Sequence, residues 1–295
     1  MARIKALSRN KFVVQLVRFF HLGFLFKFLH FRIFGPKNKI KPLRFENIQA
    51  LFYATNYEDL NTLETILTEG MMDERPILAA LLETLTEGDV ALDVGAYHGL
   101  HSIFMAKKVG PRGTVIAIEP DPKNYETLQA NIRLNDLPQI IPFQLALGDK
   151  NEDRSLYSSR RKSGASQSLV EITGSHFPQP VRVVTGDYLL QSQKLPAPKV
   201  IKIDVEGYEY PVLEGLKKTL AQKTTRLVNC EIHSHLHPEW VTPDLILGYL
   251  KRLDFSDIKT LARGGEIHAI CVKPANRSSK APATKRNRVR KIKIG

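Results

Sequence analysis

From about residue 88 onward, short apolar runs alternate with longer stretches whose apolar residues recur at helical spacing. The runs near Val90, Val115 and Ile140, then those at 200–205 and 226–232, read as strands. Residues 100–109, 123–134 and 245–253 read as helices, as does the stretch from the turn after 205 to Leu220. Asp121 caps the second of these with Pro122 at its first helical position, and Gly110-Pro111 closes the first. Residues 181–190 predict a strand and a short helix. Residues 255–261 and 266–272, joined by Arg263-Gly264-Gly265, predict a terminal hairpin. Strand and helix alternating in this way predict an α/β fold on a mostly parallel sheet.

Upstream the pattern changes. Residues 11–35 are apolar and aromatic but interrupted by Arg18, Lys27 and Arg32, with the helical register breaking near Gly23. Residues 36–42, basic and bracketed by prolines, read as a linker, and 45–85 read as helices leading into the fold. Residues 154–179 are polar, rich in Ser and weakly periodic, which predicts an insertion or mobile loop beside the site.

The turn after the first core strand carries the most chemistry. In VALDVGAYHGLHS, residues 90–102, a strand ending in Asp93 passes through Gly95 and Gly99 into a helix. Some 25 residues on, the strand at 114–118 ends in Glu119, the spacing of a βαβ unit that offers an acid to a ribose. The glycines allow close approach to the backbone, and helix-opening N–H groups favour a negative ligand group. A pyrophosphate turn would place its glycines two apart and would avoid Asp93. A ligand with a cationic end suits this carboxylate, and S-adenosylmethionine fits: a positive amino group and sulfonium, a small carboxylate, and ribose hydroxyls for Glu119. An ordinary βα turn with a solvated Asp is the alternative, against which Glu119 weighs.

Residues 199–216, KVIKIDVEGYEYPVLEGL, read as a buried strand, an acidic turn and a helix with Pro211 in its first turn. Together with DVGAYHG, IEPDPKNYETLQANIRLN and ALGD, this segment resembles the FkbM family of S-adenosylmethionine-dependent methyltransferases, over roughly residues 80–273. KIDVEGYE is the specific part. The resemblance implies a three-layer α/β/α sandwich of the class I methyltransferase type, with a mostly parallel seven-stranded sheet and one reversed strand. It also implies S-adenosyl-L-methionine as cofactor. Where Tyr97 stands the family usually has Asn, so a contact near the methionine end is missing or is supplied by Tyr97 or His98.

Asp93, Glu119 and Asp204 all fall at strand ends and would meet on one rim, where ligands of open α/β sheets bind. Lys202 and Asp204 share a face by the two-residue period, and Glu206 and Glu209 follow around the turn. Methyl transfer to a hydroxyl needs in-line placement and a route for the proton. Asp204 or His233 would serve as base; alternatively Asp204, Glu231 and His233 would hold a divalent cation. The three alternating histidines of EIHSHLHPEW, residues 231–240, also fit a polar loop with one histidine capping something, and no other motif of metal-site spacing occurs, so no metal is assigned. Asp149 would accept the adenine amino group, or is a plain turn residue.

Charge narrows the acceptor. The chain is net +13 with 43 Lys/Arg and 30 Asp/Glu, yet residues 1–44 hold 11 of the basic residues, residues 277–295 hold 8, and neither end holds an acid. The middle is therefore net acidic, which disfavours a nucleic-acid methyltransferase with a basic catalytic groove. The expectation is an O-methyltransferase acting on a hydroxyl of a sugar, glycan or lipid-linked acceptor, an acceptor class that rests on the resemblance and the N-terminal segment. A non-catalytic binding protein of the same fold is the alternative that Tyr97 permits. Cys230 and Cys271 read as buried free thiols of a reducing compartment. Residues 1–35 read as amphipathic pieces lying in a membrane interface, with the catalytic part in the cytoplasm; the alternative is a helical hairpin packed on the domain. The expected organisation is an N-terminal segment at 1–44, a helical lead-in at 45–87, a methyltransferase domain at 88–275 and a disordered basic tail at 276–295. The oligomeric state is left open.

Overall fold

The computed structural model describes residues 23–69, 73–158, 167–171, 178–263 and 265–274. Most of the amphipathic N-terminal segment and the basic tail lie outside these residues.

The core is a seven-stranded sheet built from β3 (Val90–Val94), β4 (Thr114–Ile118), β5 (Ile140–Phe143), β10 (Val200–Ile203), β11 (Leu227–Ile232), β12 (Asp257–Arg263) and β13 (Glu266–Val272). Their order is β12-β13-β11-β10-β3-β4-β5. β13 runs antiparallel to both its neighbours while the other pairs are parallel, so one strand is reversed. Side chains alternate across the pleat. Ala91, Val115, Ala117, Val200 and Leu227 pack on one face against α3 (Arg75–Thr84), α4 (Leu100–Val109) and α5 (Pro122–Leu134). Leu92, Ile116, Ile201, Ile203 and Cys230 pack on the other face against α6 (Gly186–Ser192), α7 (Glu209–Gly215), α8 (Lys217–Ala221) and α9 (Pro243–Arg252). The result is the three-layer α/β/α sandwich of the class I type. Asp121 caps α5 by accepting from the N–H groups of Lys123 and Asn124, with Pro122 in the first turn. Cys230 and Cys271 are both free and buried.

The lead-in differs from the expected linker and helices. β1 (Ile40–Phe45) and β2 (Ile48–Tyr53) form an antiparallel hairpin, and only then come α2 (Tyr57–Thr65) and α3. Leu43, Ala50 and Phe52 point into the core at two-residue spacing. The turn holds Glu46 in the left-handed region, at φ 50°, a place sequence reasoning assigns to Gly or Asn. Residues 154–179 also differ: β7 (Glu152–Ser158) pairs with β9 (Gln179–Val184), and together with β6 (Ala146–Leu147) and β8 (Gln167–Ser168) they form a second sheet in the order β6-β9-β7-β8. Residues 159–166 and 172–177 lie outside the described residues.

Two asparagines of the α5 region stand in for a strand along the edge of β2. Asn135 accepts from Leu51 N–H at 2.9 Å and donates to Leu51 C=O at 2.7 Å. Asn131 accepts from Tyr53 N–H at 2.9 Å and donates to His98 C=O at 2.8 Å. Edge groups that would otherwise lack partners are thus satisfied by side chains. Replacing Asn135 by Ala should lower unfolding free energy by about 1–3 kcal/mol. Urea unfolding should show an earlier midpoint with an unchanged slope; an unmoved midpoint would mean that the clamp is incidental.

Candidate active site

The carboxyl ends of β3, β4, β10 and β11 open on a cleft of about 510 Å³, roofed by β2 and α2 on one side and by residues of the second sheet on the other. The turn between β3 and α4 forms its floor. Gly95 has φ +80°, and a Cβ there would come within 1.7 Å of the Asp204 carbonyl oxygen, so only glycine lets β3 and β10 end side by side. Gly99, at φ +89°, is the N-cap of α4, and a Cβ there would meet Leu128. It supports the turn from behind and is not on the cleft wall.

Glu119 lines the cleft and fixes the turn's shape. Its Oε2 accepts from Tyr97 N–H at 2.7 Å and its Oε1 from Asp121 N–H at 3.0 Å. Burial raises its pKa to about 7 against these hydrogen bonds. Oε1 also accepts from Asn124 Nδ2 at 3.4 Å, so of a carboxylate's roughly four lone-pair sites one, on Oε2, remains for a ribose hydroxyl. Tyr97 takes a left-handed φ of 50°, a conformation that Asn tolerates better than Tyr. Its ring stacks on His98 with centroids 3.7 Å apart, and both side chains line the cleft. Burial lifts the Tyr97 phenol to about 12 and depresses the His98 imidazole.

Asp93 departs from the expected role. It is fully buried, accepts from Ser102 Oγ at 2.6 Å, and does not reach the cleft wall. The pleat turns it toward α4, where it faces Lys202 Nζ at 3.9 Å with one oxygen otherwise unpartnered. It therefore positions Lys202. Asp149 also departs: it is exposed beyond β6 and absent from the cleft wall.

Lys202 is 3% exposed, and its ammonium donates to Asp204 Oδ2 at 3.0 Å and Gly95 C=O at 3.3 Å. Burial alone would lower its pKa, but the charges of Asp204, Asp93 and Glu231 outweigh that and hold it protonated. Burial likewise pushes the Asp204 carboxyl up, and Lys202 and His233 more than reverse it. His233 follows β11, with Nδ1 2.7 Å from Glu209 Oε1; His237 Nε2 makes a short contact to the other Glu209 oxygen. Those two imidazoles hold the buried Glu209 carboxyl down to about 2 despite desolvation. For His233, desolvation is overcome by Glu209, Asp204 and Glu206, and its pKa rises to about 10.

Beside these lies a polar seam that no sequence motif announced. Glu74, before α3, pairs with His101 of α4 at 3.3 Å and with Arg263 of β12 at 2.5 Å. Arg263 stands 3.6 Å from Glu231 Oε1, and His268 Nε2 3.1 Å from the same oxygen. Burial and the charge of Asp204 raise Glu231 to about 9. The seam unites elements far apart in the chain, and only the Glu231↔His268 register across β11 and β13 brings its members together.

The sequence comparisons fall on the same residues. The Methyltransferase FkbM domain matches residues 93–256. The hexuronic acid methyltransferase AglP of Haloferax volcanii is 30% identical over 191 residues, 64% of this chain and 75% of that protein. Methyltransferase 1 of Beauveria bassiana is 26% identical over 143 residues, 42% of this chain and 57% of that protein. Among solved structures, the precorrin-6y C5,15-methyltransferase of Geobacter metallireducens aligns with a TM-score of 0.42 at 12% identity, over 70% of this chain and 92% of that one. The matched domain starts at the end of β3, includes Glu119, Lys202, Asp204 and His233, and spans more than half of the sequence, and the chain thus belongs to the FkbM family of S-adenosylmethionine-dependent methyltransferases.

Proposed function

We propose that this methyltransferase methylates a hydroxyl of a sugar acid or glycan, with S-adenosylmethionine seated along Gly95, Tyr97 and Glu119 and the acceptor against Asp204 and His233. The observation that carries the reading is the placement of Glu119 and Asp204 on one cleft wall at the ends of β4 and β10. The residues fit the cofactor: Gly95 keeps the floor clear, and Glu119 retains acceptor capacity beside the turn. Bound there, S-adenosylmethionine would supply an electrophilic methyl group on a sulfonium. Asp204 would take the hydroxyl proton through the oxygen that Lys202 does not hold, and Lys202 keeps that carboxylate aimed. Leu156 of the second sheet and Leu169, just after β8, give the cleft an apolar side that would exclude water. The sugar-acid class rests on the name of the Haloferax relative, and the acidic character of the chain's middle argues separately against a nucleic-acid acceptor.

Calorimetry with S-adenosylmethionine tests the cofactor seat. Glu119→Ala should weaken binding by about 1–3 kcal/mol, because ribose hydroxyls lose their acceptor. The Glu119 pKa is raised to about 7, so the ionised acceptor is present above that pH and lost below it. Affinity should rise up to roughly tenfold from pH 6 to pH 8, and Glu119→Gln should abolish the rise. Absence of binding by the unaltered chain would overturn the seat.

Methyl transfer to a panel of hexuronic acids and neutral sugars, followed by mass spectrometry, tests the acceptor. Asp204→Asn keeps shape but removes charge. Turnover should fall by about 10²–10⁴ with cofactor affinity retained. Turnover within a few-fold of the unaltered chain would make Asp204 a structural carboxylate.

The membrane contact of residues 1–35 is part of the same proposal. Among the described residues no helix is long and apolar enough to cross a membrane. The first described helix, α1 (Gly23–Phe34), is pinned to α2 by Lys27–Glu58 at 2.6 Å while Phe28, Leu29 and Ile33 are exposed. That favours a helix with one side on the fold and an apolar side outward. Full-length protein should co-sediment with anionic vesicles, release in high salt, and lose binding on deletion of residues 1–35. Equal sedimentation of both forms would remove the anchor.

A further inference from the structure

We propose that Asp204, Glu231 and His233 form a binding site for one first-row divalent cation at the acceptor end of the cleft. One ligand atom from each residue lies within 4.8 Å of the others. His233 sets the geometry. Its Nδ1 is tied to Glu209, and Glu209 is tied in turn to His237, so the ring is clamped by a fully buried carboxylate. A carboxylate on one imidazole nitrogen is the arrangement that orients the other toward a metal.

That other nitrogen, Nε2, faces Glu206 Oε2 at 3.6 Å, Glu231 Oε1 at 3.9 Å, Glu266 Oε1 at 3.9 Å and Asp204 Oδ1 at 4.0 Å. These distances are too long for hydrogen bonds. They match the separation of two donor atoms that share an ion, since bonds of about 2.0–2.2 Å at open angles put ligands roughly 3–4 Å apart. Asp204 keeps Oδ2 on Lys202 and turns Oδ1 toward His233; with a cation bound, Oδ1 would be a ligand, and the cation would then acidify the acceptor hydroxyl in place of a free Oδ1 acting as base.

A second observation points the same way. His268 is 2% exposed, neither of its ring nitrogens makes a hydrogen bond, and its Nε2 stands 3.1 Å from Glu231 Oε1. A buried imidazole without a hydrogen bond is costly, and it sits where a neighbour of a ligating carboxylate belongs. Asp204, Glu206, Glu231 and Glu266 all face His233 Nε2, so a dication entering there would meet carboxylate oxygens on several sides and would displace the proton from that nitrogen. Two carboxylates and one imidazole form a mixed oxygen and nitrogen set that suits Mn²⁺ or its neighbours better than Ca²⁺ or a thiophilic ion. Three protein ligands leave positions open toward the cleft, where an oxygen of a sugar acid would fit. Only this last use rests on the proposed function; the binding site does not.

The test is calorimetry of Mn²⁺ binding to the full-length chain after treatment with a chelator, with S-adenosylmethionine affinity measured on each sample. Saturable binding of one Mn²⁺ per chain is expected, with a rise in melting temperature. Glu231→Gln and His233→Gln should each weaken Mn²⁺ binding at least tenfold, and Asp257→Asn, an exposed acid at the start of β12, should not. Should His233→Gln unfold, Glu231→Gln and the melting shift of the unaltered chain decide the matter. Binding of S-adenosylmethionine without saturable Mn²⁺ binding would overturn the cation site while leaving the methyltransferase assignment intact. Mn²⁺ affinity unchanged by Glu231→Gln would overturn it equally.

Discussion

A lysine ammonium buried at the carboxyl ends of three adjacent strands is the constraint on which the site depends. Lys202 stands on β10 with Asp93 beside it on β3, and it binds Asp204 and the Gly95 carbonyl at the rim. An unpaired charge there would cost several kcal/mol, so the surrounding carboxylates are obligatory partners. Their demand for a cation and its demand for anions fix each other. Because the Gly95 carbonyl is one of those partners, the backbone of the β3–α4 turn is fastened to the same ammonium that aims the proposed proton acceptor. The turn proposed to seat the cofactor and the carboxylate proposed to take the proton therefore share a single support.

Around that support the protein places more acid than a stable core needs. Replacing a buried ionic network by packed apolar side chains is often neutral or stabilising, so such a cluster is poor evidence for folding strength. Glu231 and His233 are driven in opposite directions from ordinary behaviour by the same crowding: one holds its proton and the other gains one. Groups perturbed this far in a cleft are what a functional site is expected to contain. Glu209 is different, fully buried and satisfied by two imidazoles, and it acts as a brace for His233.

What could be read from the chain follows from how local each signal is. The strand–turn–helix at 90–102 and the cap at Asp121-Pro122 are written within a dozen residues, and both stand as expected. Lys202, Asp204 and His233 were legible because strand ends collect on one rim. The same reasoning misplaced Asp93, since an end position says nothing about which face the pleat gives the side chain. The β1–β2 hairpin was hidden by a Glu in a left-handed turn and by Pro42 inside a strand. Glu74, Arg263 and His268 were invisible because their meeting depends on the register of β11, β12 and β13, which no short motif encodes.

The asparagine clamp ties folding of the hairpin to occupancy of the cleft. Asn131 binds Tyr53 N–H on the roof and His98 C=O on the floor through a single side chain, so the two walls cannot separate without breaking it. A hairpin held by side-chain amides would open locally at lower free energy than the central sheet. Any molecule resting on both walls binds only the closed form, and it suppresses that opening by RT ln(1 + [L]/Kd). Amide exchange at Leu51 and Tyr53 thus becomes a gauge of ligand in the cleft, readable without any knowledge of which hydroxyl is methylated.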